Sequence, residues 1–120
     1  MKLTELEPEL FRYEERIETW NTANGPKTGP RCYRVPVTTF AESHCVWFWC
    51  PKCHSGQPHP IEVTIAGRGV PDHLGTHNKK GEPTRWNLSG DSFENLSLTP
   101  SVQLEAGCNW HGHVTNGDAT

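Results

Sequence analysis

Apolar positions are spaced in two different ways along this chain of 120 residues. Near the N-terminus, apolar side chains recur at steps of three and four from Leu3 to Trp20, with Glu and Arg between them. This period predicts an amphipathic helix over about residues 7–20, with Pro8 in its first turn. The segment Leu10–Tyr13 by itself also fits a strand, so that alternative stays open.

The rest of the chain consists of short runs rich in β-branched and aromatic residues, each bounded by Gly, Pro, Asn or Ser. The runs are Cys32–Val37, His44–Trp49, Ile61–Ile65, Trp86–Leu88, Leu96–Leu98, Val102–Leu104 and His113–Thr115. They predict strands, so the fold class is mainly β, a small antiparallel sheet or sandwich with zinc knuckles and one short N-terminal helix. Turn residues dominate Asn21–Pro30, a predicted linker, and Ala66–Pro83, a predicted long loop.

Length and composition favour a single zinc-stabilised domain over residues 1–120, in which residues 1–30 form the N-terminal helix and linker. Apolar residues make up 33% of the chain, beside 11 glycines and 10 prolines, so the core needs additional stabilisation. The net charge of −3 argues against general nucleic-acid binding. No apolar run has the length of a membrane span, and we expect a soluble protein of the cytoplasm.

Two cysteine-containing pairs share the two-residue gap of a zinc knuckle. One is Cys50 with Cys53, and the other is Cys108 with His111. Three thiolates and one imidazole form a tetrahedral donor set that Zn²⁺ accepts, and joining pairs so far apart would stabilise the fold. Such a site has no open coordination position, so we expect a structural Zn²⁺ and no enzyme activity.

The fourth zinc ligand stays open at this level. His113 lies two residues beyond His111, and residues two apart on a strand face the same side. His59 is a further alternative. Cys32 and Cys45 have no partner at ligand spacing, which predicts buried structural thiols.

Outside the cysteine pairs, two basic segments are candidates for ligand binding. Arg68 and Asp72 lie in a glycine-containing turn suited to an anion, although the two side chains pairing with each other is the simpler interpretation. Arg85 and Trp86 place a guanidinium beside an aromatic ring suited to stacking, although a Trp86 that faces the core is again simpler.

Five ordered blocks resemble the domain-of-unknown-function 6527 family, small zinc-knuckle proteins of phages and prophages that sometimes carry the label "ammonia monooxygenase". The blocks are W-F-W-C-P-K-C-H (47–54), G-R-G-V-P-D (67–72), R-W-N-L-S-G (85–90), L-S-L-T-P-S-V (96–102) and G-C-N-W-H-G-H-V-T-N-G (107–117). The resemblance implies zinc ligation by Cys50, Cys53, Cys108 and His111. A thiolate-rich site in a soluble chain gives the oxygenase label no support.

These observations lead to three hypotheses about function. The first is a phage- or prophage-encoded binding module that engages a viral or host protein through the loop 67–83, as a virion component or a host-directed accessory protein in the host cytoplasm. The second is a nucleotide or small-anion binder that uses Arg68, Arg85 and Trp86. The third is a zinc-dependent hydrolase. No membrane partner is expected, and homo-oligomerisation stays open.

Overall fold

The computed structural model describes residues 1–53, 59–103 and 109–120. Within these ranges the chain is mainly β, as the sequence predicted. A 3-10 helix, Leu3–Leu6, precedes the strands, which are β1 (Glu9–Thr22), β2 (Gly25–Pro36), β3 (Cys45–Trp49), β4 (Pro60–Thr64), β5 (Asn87–Ser89), β6 (Ser97–Gln103), β7 (His111–Thr115) and β8 (Asp118–Ala119). In the described part of the chain, no helix has the length and apolar character needed to cross a bilayer.

The strands form two antiparallel sheets with the orders β2-β1-β3-β4 and β5-β6-β7-β8. Main-chain bonds join the sheets where β4 ends and β5 begins. The Trp86 amide donates to the Thr64 carbonyl at 2.9 Å, and the Ala66 amide donates to the Trp86 carbonyl at 2.7 Å. The two sheet edges therefore meet at one point and separate beyond it.

One hydrophobic core contains buried side chains from both sheets and from the 3-10 helix. Its largest fully buried members include Phe48, Leu3, Leu6, Ile65, Leu96, Leu98 and Val46. Alternation places Phe48 in this core while Trp47 and Trp49 share the opposite face, where their ring centroids are 4.7 Å apart. Trp110 packs edge-on against Phe48 with centroids 6.4 Å apart, which helps to close the core.

The predicted N-terminal helix is wrong, because most of residues 7–20 lie in strand β1. The apolar positions with helical spacing do not share one buried face. Leu10 and Tyr13 are buried, whereas Ile17 is 72% exposed. Pairing along the full length of β2 satisfies the backbone instead, so the tertiary ladder overrides the helical period.

The predicted linker is also wrong, since most of it belongs to β2. Thr22 pairs with Gly25, which leaves Ala23 and Asn24 as a two-residue hairpin turn. Gly25 has a φ of 104°, a conformation that glycine adopts without steric penalty. The Asn-Gly dipeptide therefore spans the end of the turn and the first residue of β2.

Candidate functional site

Ser101 lies on an irregular stretch of strand β6. The register of β6 with β7 pairs Leu98 with Val114 and Val102 with Gly112, so residues 99–101 lie opposite the single residue His113. Extra residues of this kind bend a strand and redirect its side chains, and they occur often beside active sites. The neighbouring Val102 is 1% exposed and anchors the strand in the core, while Ser101 lines an open cleft.

The Ser101 hydroxyl is hydrogen-bonded to the imidazole of His111. The distance from Ser101 Oγ to His111 Nε2 is 2.8 Å. The main chain of Ser101 is fixed as well, because the indole Nε1 of Trp86 donates to the Ser101 carbonyl at 3.1 Å. Trp86 is 8% exposed, so the simpler sequence interpretation, that it faces the core, is confirmed.

The cleft in front of Ser101 has a volume of about 640 Å³. It lies where the edges of the two sheets separate. Strand β4 contributes Pro60 and Glu62 to one wall, residues 76–78 and 83–86 form another, and Pro100, Ser101 and Gln103 of β6 complete the lining. Ser101 is therefore open to a ligand of substantial size.

Arg85 holds the loop that forms one wall of this cleft. Its Nη1 donates to the carbonyls of Thr76 and Thr84 at 3.0 and 2.9 Å, and its Nη2 donates to those of Pro71 and Leu74 at 3.1 and 2.8 Å. Four charge-assisted hydrogen bonds to carbonyls tie the guanidinium to the protein's own backbone. Arg85, a residue predicted to bind ligand, is thus placed as a clamp on the loop.

A buried hydroxyl network attaches the same loop to strand β4. Thr64 Oγ1 lies 2.9 Å from both Tyr13 Oη and Thr76 Oγ1, and it accepts from the Thr76 amide at 2.9 Å. Burial raises the pKa of Tyr13, so its hydroxyl stays protonated. Gly75, with a φ of 81°, lies so close that an added Cβ would be 2.6 Å from Thr64 Oγ1. Only glycine fits this approach.

Arg68 and Asp72 do not form the pair expected from the sequence. Arg68 Nη1 donates instead to the carbonyls of Phe40 and Ala41, at 2.7 and 2.9 Å, and so holds the loop before β3. The carbonyl of Asp72 lies 2.6 Å from His77 Nε2. Arg68 is accordingly placed away from the residues that line the cleft.

The residues predicted to bind zinc are only partly described. Cys50 is buried and Cys53 half-buried on the turn after β3, and Cys53 Sγ lies 3.3 Å from His59 Nδ1. Cys108 lies outside the described residues, and His111 contacts Ser101. Among residues 1–53, 59–103 and 109–120, no group of three or more His, Cys, Asp or Glu could hold a metal ion. Zinc binding therefore stays a prediction, and the histidine seen beside the second thiol is His59.

The two remaining cysteines that we predicted to be buried differ from each other. Cys45 is fully buried in β3, and burial raises the pKa of its thiol to about 11. Cys32 is exposed on β2, so the prediction is wrong for this residue. The reason is that β2 lies at an edge of its sheet, and none of its residues is buried.

A serine hydroxyl bonded to an imidazole within an open cleft is the arrangement by which serine hydrolases activate their nucleophile. The chain belongs to the BubE family, described as "Bacterial ubiquitination-like system serine protease", whose family model matches residues 26–120. Neither a curated protein nor a solved structure matches the chain. The match does not confirm the phage zinc-knuckle family that the motifs resemble.

Sequence reasoning missed Ser101. The serine lies in no G-x-S-x-G motif, and its partner His111 comes ten residues later on the next strand. The one available signal was the T-P-S segment, Thr99–Ser101, inside a run of strand residues, since proline is depleted in strand interiors and often marks an irregularity. His111 was singled out, but for metal ligation.

Proposed function

We propose that this protein is a serine peptidase of a bacterial ubiquitination-like system, with Ser101 as nucleophile and His111 as general base. The observation that carries the proposal is the 2.8 Å contact between Ser101 Oγ and His111 Nε2 in a cleft of about 640 Å³. The family description supplies the class of reaction and the biological system. Hydrogen-bond reach between nucleophile and base is the geometric requirement for this chemistry.

The roles of the two side chains follow from ordinary acyl-transfer chemistry. In the acylation step, Ser101 Oγ attacks the carbonyl carbon of the scissile bond and His111 Nε2 accepts the hydroxyl proton. The protonated imidazole then donates that proton to the departing amine. Water attacks the resulting ester with His111 again as base, which releases the acid product and restores the serine.

Gln103 is the candidate donor to the oxyanion that develops during this attack. It lies two positions after Ser101 on β6, with Val102 between them buried, and it lines the cleft. A side-chain amide is a neutral donor able to stabilise an oxyanion. The sequence of β6 thus brings nucleophile and amide to the same cleft.

This proposal replaces the expectation of a binding module without enzyme activity. The protein partner becomes the substrate, a polypeptide of the ubiquitination-like system. The family match gives no support to a virion component or to a zinc-dependent hydrolase. Small-anion binding by Arg68 and Arg85 gains no support either, because both guanidinium groups donate to backbone carbonyls. Membership of the phage-associated family stays a prediction.

We also infer that a zinc ion, when bound, is structural and separate from the reacting residues. Thiolates of Cys50 and Cys53 and the imidazole of His59 are donor types that zinc prefers. The 3.3 Å contact between Cys53 and His59 supports His59 as a ligand in preference to His111, which contacts Ser101. Under this assignment the ion would stabilise the chain after β3 and leave His111 available as a base.

The direct test of the proposed function is covalent labelling with a fluorophosphonate, which reacts with activated serines. We expect one adduct on the wild-type protein, located by peptide mass spectrometry at Ser101, and no adduct on Ser101→Ala. Ser89→Ala, at an exposed serine on β5, is the matched control and should be labelled like the wild type. Labelling that persists in Ser101→Ala, or no labelling of the folded wild-type protein, contradicts the proposal.

A further inference from the structure

The cleft beside Ser101 is bounded by the outer edge of strand β4, which ends the order β2-β1-β3-β4. In the described part of the chain this edge is covered at Thr64, which bonds to Trp86, and at the Glu62 carbonyl, which accepts from Thr76. We propose that the cleft binds an uncharged, extended segment of the polypeptide substrate as an added strand along β4, an inference that rests on the proposed function. This mode of recognition uses main-chain hydrogen bonds for affinity.

Alternation along β4 identifies the backbone groups that face the cleft. The Thr64 carbonyl accepts from the Trp86 amide, and the Glu62 carbonyl accepts from Thr76 Oγ1 at 3.1 Å, so both carbonyls point away from β3. Residues two apart on a strand present their backbone groups to the same side. The Glu62 amide and the Pro60 carbonyl therefore point toward the cleft, where an extended chain can bond to both.

The charges of the cleft indicate what kind of side chain it accepts. Among the described residues that line it, three are ionisable, and each already has a partner within the protein. Glu62 forms an ion pair with Arg34, Arg85 donates to four carbonyls, and His77 Nε2 lies against the Asp72 carbonyl. A charged substrate residue would lose hydration without gaining a free counter-ion. Uncharged residues are therefore preferred next to the scissile bond.

Thr84 provides an independent sign that a ligand group is accepted here. Among the buried side-chain oxygens and nitrogens of the described residues, Thr84 Oγ1 alone lacks a hydrogen-bond partner. Thr84 also lines the cleft. Leaving a buried hydroxyl unsatisfied is costly in a folded protein. A polar main-chain group of the bound segment would supply the missing partner.

The first experiment measures cleavage of a library of tetrapeptide aminomethylcoumarin substrates by the full chain. We expect kcat/KM for neutral sequences to exceed that for sequences containing Asp, Glu, Lys or Arg by about tenfold or more. N-methylation of a single backbone amide in the best substrate should lower kcat/KM by about tenfold at one position, because the Pro60 carbonyl is the outward carbonyl of β4 that Thr76 and Trp86 leave unoccupied. Equal cleavage of charged sequences, or tolerance of every N-methyl group, overturns the inference.

The second experiment changes the protein. Thr84→Val keeps the shape of the side chain and removes an unsatisfied buried hydroxyl, so we expect kcat/KM to fall about fivefold while the melting temperature stays equal or rises. Thr115→Val, at an exposed threonine on β7, is the control and should leave kcat/KM unchanged. A purely structural hydroxyl would lower the melting temperature of Thr84→Val and leave its kcat/KM unaltered, which would count against the inference.

Fluorophosphonate labelling of Ser101 separates failure of this inference from failure of the proposed function. A labelled protein that shows no charge or N-methyl discrimination refutes the added strand and retains the serine peptidase. If no library member is cleaved, the same tetrapeptides are titrated as amides into isotope-labelled Ser101→Ala. Shifts of the Glu62 and Thr84 amide resonances then uphold the inference, and their absence refutes it.

Discussion

The hairpin of β1 and β2 and the cleft beside Ser101 are built in opposite ways. Register pairs between β1 and β2 run from Phe11 to Thr22, but β1 pairs with β3 only over Glu9–Phe11. Beyond Tyr13, neither strand contributes a buried residue. Most of the hairpin is therefore a two-stranded ribbon held by cross-strand contacts, such as Arg31 over the ring of Trp20 at 5.0 Å.

The cleft, by contrast, is assembled from segments distant in sequence and fixed by buried or charge-assisted contacts. Trp86 holds the Ser101 carbonyl, Arg85 clamps the loop 71–76, and Thr64 joins that loop to β4. The family model begins at residue 26, so β1 lies outside the matched segment. Long regular strands therefore need not lie near the reacting residues. We expect substitutions in the cleft to change activity or stability more than substitutions in the ribbon.

The largest expected effect is on catalysis by the cleft. His111→Ala removes the proposed base and should lower kcat/KM by at least about a hundredfold, because proton transfer from Ser101 is lost. His113→Ala, at an exposed histidine on the same strand, should keep kcat/KM close to the wild-type value. Hydrolysis of a peptidyl coumarin measures both. Equal activity of the two variants would contradict the role of His111.

The second test compares the zinc content of variants at the proposed metal ligands. We expect about one equivalent of Zn²⁺ per chain by elemental analysis, and loss of most of it in Cys53→Ser and His59→Ala with a lowered melting temperature. His111→Ala should retain its zinc. Zinc loss from His111→Ala with retention in His59→Ala would restore the ligand set predicted from the sequence, and it would remove His111 from the catalytic pair.

Third, Arg85→Met should destabilise the protein by about 2–4 kcal/mol, because four carbonyls lose a charged donor while the methylene packing is kept. Denaturant unfolding measures the effect. Arg16→Met in the ribbon removes an exposed ion pair with Glu14 and a stacking contact with Tyr33, and it should lower the denaturation midpoint far less than the cleft variant does. Equal denaturation midpoints for the two variants would contradict the expectation that side-chain contacts stabilise the cleft more than the ribbon.

The smallest expected difference compares two tyrosines of the hairpin. Tyr13→Phe removes the buried bond to Thr64 Oγ1 and should cost about 1 kcal/mol in the free energy of unfolding. Tyr33→Phe removes a bond to Glu18 on the ribbon and should leave the free energy of unfolding unchanged. A larger loss in Tyr33→Phe would mean that the ribbon is packed more firmly than its exposure indicates.

The sequence by itself determined the class of fold and the positions of most strands. Short runs such as His44–Trp49 and Ile61–Ile65 are bounded by turn residues and rich in side chains that suit a pleated surface, so local preference and tertiary structure agree there. Alternation also predicts Trp47 and Trp49 on one face of β3 and Phe48 on the other, and the structure shows that Phe48 is the side chain in the core. In these segments the information lies within a few consecutive residues.

Only the tertiary structure decided the strand at the N-terminus and the site. Residues 9–22 have the apolar spacing of a helix, yet hydrogen bonds to strand β2 determine their conformation. The spacing of apolar residues within one segment does not reveal which other strand will pair with it. Ser101 became a candidate nucleophile only because an irregular β6 brings it to His111 beside a cleft bounded by β4. The pairing of Ser101 with His111 depends on the irregular register of β6 with β7, and the other walls of the cleft come from segments far apart in the chain. Neither feature can be deduced from the local pattern of a single sequence.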